Sequence, residues 1–455
     1  MTRRVVITVA LVLLSIGAAR FMYALTRSPQ GWSGITHMDR MYDLQRPMLA
    51  SAGDEPQAFR FWGPLFFPAF GSLRALDLPD PIFRASIRVL LVLLYALSVF
   101  LLARTALPSA WSGRWQPAAF TAMLVFLSLQ SSAAIYAISN GQAEIVAGFL
   151  VVAHFYFFVQ KQYLAAAAMI CIAVYFKLWP ILFLWPYALM SLFSPAQRRY
   201  VGCLALAGVA VGAAAFAAGG WRLGLLYPLT MILDVTTTAT LVPIDSREVF
   251  GLVFFISRLG SQFAIDAPLA QDLVRTQAIT TIATLCLFVS TSATALLFAR
   301  TSTQWNERTD TRRAALLLFQ AVIGFLAVSF SVDVSITHLL MIVVSLYWPL
   351  WLLTVDGGQD VWTSGRVLLV GVPYGLGIVL VGNLIPLSLL FRVLPLGWIH
   401  GMFNASHPMV EHEQYLWYQV PLVGIGLIAL SLCLAWAVVR RASRGPRLPQ
   451  PASLP

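Results

Sequence analysis

Apolar positions in this chain come in long unbroken runs, not at alternate positions or in a single helical stripe, and short polar clusters separate the runs. A run of about 18–25 apolar residues matches the thickness of a bilayer's hydrocarbon core. The pattern predicts helical spans at 5–25, 86–105, 117–137, 143–160, 163–176, 178–193, 200–219, 276–300, 314–332, 338–356, 367–390 and 417–439. The expected fold is an all-α polytopic membrane protein of about twelve transmembrane helices. One domain covers residues 1–440, and the proline-rich tail 441–455 is expected to be disordered and cytoplasmic. A membrane β-barrel would need alternating segments of ~10 residues, and the chain has none.

One run does not fit a single span. "AAAAMICIAVYFKLWPILFLWPYALMSLF" (166–194) is too long for one helix across a bilayer. Lys177 followed by Trp179-Pro180 offers a break, because proline disfavours helix at the residue before it. Charge supports the split. With Arg3 and Arg4 in the cytoplasm, two short spans place Arg104, Arg114, Lys161, Arg198, Arg199, the arginines of 300–313, Arg366 and those of 440–447 inside as well. Both termini are then cytoplasmic, in a plasma (bacterial inner) membrane. The N-terminal run resembles a signal peptide but is too long for its apolar region, so it is read as a retained first span.

This topology gathers the long loops 26–85, 220–275 and 391–416 on the outer face, with the turn "SNGQAE" (139–144), the break at Lys177 and "SVDVSITH" (331–338). Three apolar patches there are too short to span: 59–70, 225–233 and 249–259. They are expected to form re-entrant or interfacial helices.

Composition reinforces the membrane reading. The chain has 455 residues, 59% hydrophobic and only 11% charged. Its mean hydropathy is +0.78, too oily for a soluble surface. The net charge of +11 sits at the ends of apolar runs, which argues against nucleic-acid binding. The four cysteines (Cys171, Cys203, Cys286, Cys433) lie inside apolar runs, without metal-ligand or disulfide spacing. There is no P-loop, no HExxH and no dinucleotide-binding glycine motif. "NAS" (404–406) matches a glycosylation triplet, a pattern common by chance.

Candidate chemistry concentrates on the outer face. Asp39 and Asp43 lie four apart on one helical face, with Tyr42, Arg40 and Arg46 close by. Asp39 could be a general base toward a hydroxyl, and Arg40 or Arg46 could hold an anion; solvated loop charges are the plain alternative. Lys177 either meets a phosphate or snorkels to the headgroups. His338, after Asp333 at the mouth of a span, either polarises a phosphate or bonds a local carbonyl. Asn140, Gln142 and Glu144 either bind sugar hydroxyls or cap a helix. Trp62, Trp179, Trp185, Trp398 and Trp417 fit an interfacial aromatic belt. A lone acidic cluster argues against a tightly held metal, and no cofactor is expected.

Five stretches in order, "HMDRMYDLQ", "FRFWGPLFFP", "NGQAE", "VYFKLWPILFLWPY" and "SVDVSITHLL", resemble glycosyltransferase family 87. These are polyprenol-phosphate-mannose-dependent mannosyltransferases of the GT-C membrane fold. The resemblance implies transfer of a hexose, mannose in that family, from a polyprenyl-phosphate donor to a hydroxyl of a glycan or glycolipid acceptor, with inversion. By the same resemblance Asp39 takes the place of the base, Lys177 and His338, with Arg40, hold the donor phosphate, and Gln142 falls on the family's glutamine; Tyr42, Asp43, Asn140 and Glu144 are the further substrate-binding candidates read from the residues themselves. The chain departs from the family pattern at four points. Glu144 replaces an asparagine, Ile336 a tryptophan and Leu339 a second histidine, and "SVDVS" lacks a proline. A transporter or lipid flippase is the main competing reading, and would favour midplane charges and related half-repeats. A non-catalytic envelope scaffold is the third.

Overall fold

The computed structural model describes residues 63–74, 76–106, 144–194 and 197–231, together with 285, 288–297, 299, 318, 319 and 322. Every regular element among them is helical. In order these are α1 (Phe66–Arg74), α2 (Asp80–Ala106), α3 (Glu144–Val159), α4 (Tyr163–Phe176), α5 (Ile181–Phe193) and α6 (Arg198–Gly219). A π-helical turn follows at Gly220–Leu225, and α7 covers Phe288–Leu297.

The expected break at Lys177 is present. α4 ends at Phe176, Lys177 is extended, and α5 begins only after Trp179-Pro180. Ring contacts give the directions. Tyr163 at the start of α4 meets Tyr200 at the start of α6, with centroids 6.1 Å apart. At the other end the Tyr175 hydroxyl donates to the Leu225 carbonyl at 3.0 Å, beside Gly212. So α4 and α6 run the same way, and α5, which links the end of one to the start of the other, runs back. α3 is antiparallel to α4, because Phe158 packs on Tyr163 while Glu144 reaches Lys177. Lys161, Arg198 and Arg199 therefore share one end of the bundle, and Glu144 and Lys177 share the other.

Burial separates the helices. α3 is buried almost all round, from Glu144 through Ala147, Val151 and Phe155 to Phe158. α6 turns only a narrow stripe inward, Tyr200, Ala207, Val211 and Ala215. α2 is apolar on both sides: Phe83, Ile87, Leu91, Tyr95 and Val99 face the core, whereas Val89, Leu93, Leu97 and Phe100 are exposed. A helix with apolar residues on its outer face suits lipid as its solvent. By length and composition two described stretches can cross a membrane, Ala85–Leu102 and Arg198–Met231.

The second stretch is not one straight rod. At Gly220, φ is +70° and ψ −157°, a conformation essentially reserved for glycine. The chain turns back there, bringing Gly224 against the Ala215 carbonyl and Leu225 against Gly212. Residues 227–231 form a short helical piece after the reversal. In contrast, α3, α4 and α5 are short, with 16, 14 and 13 residues. At 1.5 Å per residue they are about 20–24 Å long.

The Lys161 end is filled by aromatics around His154. Its ring lies 5.0 Å from Tyr187 and 5.8 Å from Tyr200. His154 is fully buried, and its Nδ1–H donates to the Ala166 carbonyl at 3.1 Å. Phe158 packs edge-on against both tyrosines at 4.9 Å. Cys171 is buried among these helices and Cys203 half-buried, both as free thiols.

Candidate active site

Three separated stretches of sequence meet at the Lys177 end. The first is the C-terminus of α4, where a helix leaves its last carbonyls without intrahelical partners. Gly63 N–H donates to the Phe176 carbonyl at 2.9 Å and Leu65 N–H to that of Tyr175 at 3.3 Å, so the Gly63-Pro64-Leu65 segment caps α4. Only glycine fits there: a Cβ on Gly63 would lie 1.9 Å from the Tyr175 oxygen. Phe66, the first residue of α1, then packs edge-on against Phe176 at 5.3 Å.

The second stretch is the start of α3. Glu144 is its first residue, and because α3 and α4 are antiparallel, Glu144 faces the residue that closes α4. Lys177 Nζ donates to Glu144 Oε1 in a buried ion pair. Each charge also suits its helix: the carboxylate sits at the positive end of the α3 dipole and the ammonium at the negative end of α4. The side chains are 1% and 10% exposed, so neither charge relies on water. An unpaired ion would cost several kcal/mol at such a site.

The third stretch is the reversal after α6. Gly219 lies against Pro64, and Tyr227, 1% exposed, is buried just after the reversal. Trp179, two residues after Lys177, turns its ring edge-on to Phe183 at 6.0 Å with its Nε1–H buried.

Of the residues singled out in the sequence, Lys177 and Glu144 are brought together, as are the segments "FRFWGPLFFP", "NGQAE" and "VYFKLWPILFLWPY" at Gly63, Glu144 and Lys177. Asp39, Arg40, Tyr42, Asp43, Asn140, Gln142 and His338 lie outside the described residues. The structure changes the reading of Lys177, which neither snorkels nor stands alone: its charge is buried against Glu144. Trp179 is half-buried, with its N–H shielded. Trp185 is 39% exposed, stacks on Phe288 at 5.3 Å and donates to Ser292 Oγ at 2.7 Å.

Among the buried residues with no place in the sequence reading are Arg88 within α2, His154 within α3, and Tyr227. For Arg88 and His154 a signal existed, an ionisable side chain inside an apolar run. Tyr227 had none, because its position depends on the reversal at Gly220. Among the described residues no three His, Cys, Asp or Glu side chains gather into a possible metal site.

This end of the bundle holds a buried ion pair and a capped helix end. Residues 138–304 match the family model described as mannosyltransferase (PIG-M). That match contains Glu144, Lys177, the reversal after α6 and all of α3–α7. It supports a glycosyltransferase acting on mannose, and with the apolar helices it supports a membrane protein. No curated protein and no solved structure matches the chain.

Proposed function

We propose that this protein is a GT-C-type membrane mannosyltransferase, close in its motifs to glycosyltransferase family 87, that takes mannose from a polyprenyl-phosphate donor. The acceptor is a hydroxyl of a glycan or glycolipid at the outer face of the plasma membrane. One observation carries the reading: the segments containing Gly63, Glu144 and Lys177 meet at one end of the bundle, the last two of them within the stretch 138–304 that is similar to mannosyltransferases.

In this reading Asp39 takes the proton of the acceptor hydroxyl. That oxygen attacks C1 of the mannose from the face opposite the phosphate, the C1–O bond breaks with its electron pair going to the phosphate oxygen, and the configuration inverts. The leaving group changes from a phosphodiester with one negative charge to a monoester with close to two. Cations at this position therefore stabilise the transition state more than the bound donor. Lys177, His338 and Arg40 supply them. Tyr42, Asp43, Asn140, Gln142 and Glu144 contact the sugars, with Glu144 also holding Lys177 in place.

The test is transfer by purified protein in nanodiscs, supplied with polyprenyl-phosphate-mannose and candidate glycan acceptors. Asp39→Asn should bind donor and fold normally but lose nearly all transfer. Normal turnover by this variant removes Asp39 as the base. Movement of lipid-linked sugar across vesicle bilayers, with no transfer product, would replace the enzyme reading with the flippase one.

A further inference from the structure

The bundle end opposite the Lys177 pair carries exposed cations. Lys161 follows α3, and Arg198 and Arg199 are the first two residues of α6. The Tyr163–Tyr200 ring contact at 6.1 Å, with Phe158 against both rings, holds the start of α4 beside the start of α6. Lys161, Arg198 and Arg199 therefore share one corner of the surface. Residues 145–231 contain no Asp or Glu to neutralise them. The arginines also oppose their own helix, because an α-helix is positive at its N-terminus and they add charge of the same sign. No acidic residue lies in the first turn of α6, and no side chain caps it.

Gln197, immediately before Arg198, is fully buried, yet its side-chain Oε1 and Nε2 bond to nothing. A buried carboxamide without partners is destabilising, so its retention at an uncapped helix start points to a ligand that both accepts and donates. Lys161 in turn closes α3. Its N–H donates to the Phe158 carbonyl at 3.0 Å and Gln162 N–H to that of Phe157 at 2.9 Å, with Lys161 at φ +61°. Glycine is the usual residue at that left-handed place, so the backbone does not ask for a lysine there. Beyond the charges the surface turns apolar. The face of α6 that begins at Arg199 continues through Gly202, Leu206 and Val209, with Leu206 and Val209 exposed and open space where a Gly202 side chain would stand.

We infer that this corner binds an anionic phospholipid with a hydroxylated head. Its phosphate lies among Lys161, Arg198 and Arg199 at the first turn of α6, its head meets the Gln197 amide, and an acyl chain follows Gly202, Leu206 and Val209. Cations at the rim of a membrane protein attract anionic headgroups, and the free N–H groups of a helix start receive phosphate oxygens. A phosphate here also removes the conflict between the two arginines and the α6 dipole. The inference needs the chain to be a membrane protein and does not depend on sugar transfer.

The test uses the full chain in nanodiscs of phosphatidylcholine with added phosphatidylglycerol, and native mass spectrometry to measure the phosphatidylglycerol each variant retains. Wild type should retain it. Lys161→Gly removes one cation and gives the left-handed position the residue that suits it, so the fold should hold while retention falls about fivefold. Arg198→Gln/Arg199→Gln should lower retention about twentyfold. Equal retention by these variants and wild type overturns the inference. Gln197→Met alters no charge and deletes two unbonded buried atoms, and it too should weaken retention. An unchanged value for it overturns the site and leaves only surface attraction. Arg222→Gln, on the exposed turn at the opposite end, should retain as much as wild type, and a loss equal to that of Lys161→Gly also overturns the inference. If inorganic phosphate displaces phosphatidylglycerol from wild type, the site serves free anions and the lipid assignment falls. Transfer activity is no part of the readout, so failure of the proposed function leaves this site standing.

Discussion

Glu144→Gln isolates what the buried ion pair contributes. The substitution keeps shape and hydrogen-bonding capacity but removes the charge facing Lys177. With the two side chains 1% and 10% exposed, water can replace little of the lost attraction. Removing one partner of a buried pair typically costs about 3–5 kcal/mol, most of it the penalty of an uncompensated charge. Loss of the carboxylate at the start of α3 adds about 0.3–1 kcal/mol. Lys177→Met, which keeps the aliphatic stem, should cost a similar amount by stranding the carboxylate. The double variant Glu144→Gln/Lys177→Met should be markedly more stable than the sum of the single losses predicts, because neither charge is left behind. The assay is a double-mutant cycle on thermal unfolding in nanodiscs. Single variants that unfold like wild type, or losses that simply add, would show that the contact contributes no coupling and would refute the reasoning.

Gly63→Ala should destabilise by at least about 1–3 kcal/mol, since the new methyl group overlaps the Tyr175 carbonyl and must push the cap off α4; an unchanged unfolding midpoint would mean the segment does not hold that helix end. His154→Phe should change stability by no more than about 1.5 kcal/mol: it deletes the Nδ1–H bond to the Ala166 carbonyl, but the ring shape survives and the buried, unpartnered Nε2 disappears. His154→Ala, by emptying the space between Tyr187 and Tyr200, should cost several kcal/mol. A larger loss for the phenylalanine variant than for the alanine one would assign His154 a polar role.

The elements were more legible in the sequence than their faces. The run expected at 163–176 is α4, Tyr163–Phe176. Lys177 and Pro180 marked the break because one charge and one missing N–H suffice to end an apolar helix. The expected start of α5 at 178 came too early, since Leu178, Trp179 and Pro180 form the turn itself. The run expected at 200–219 begins at Arg198, as exposed arginines can extend a helix beyond its apolar part. α2 likewise extends past the expected 86–105, to Asp80–Ala106. The meeting of Glu144 with Lys177, and of Gly63 with Phe176, could not be read from the residues. When lipid and core are both apolar, a helix carries almost no stripe to say which side faces inward. The reversal at Gly220 was hidden for another reason: φ is a property of the folded backbone, and "AAGGW" fits a helix end, a bulge or a hinge equally well.

The brevity of α3, α4 and α5 has a bearing on the surrounding lipid. Helices about 20–24 Å long fall short of an average ~30 Å hydrocarbon layer. Acyl chains beside them must compress or tilt, at a cost that grows with every ångström of mismatch. On the proposed function, a bilayer thinned beside the lipid-facing parts of α4 and α5 gives a long-chain lipid with a bulky head its shortest path to the protein's polar end. Membranes with shorter acyl chains relieve that compression, so the thickness of the host membrane becomes part of how easily a lipid-borne substrate reaches Lys177.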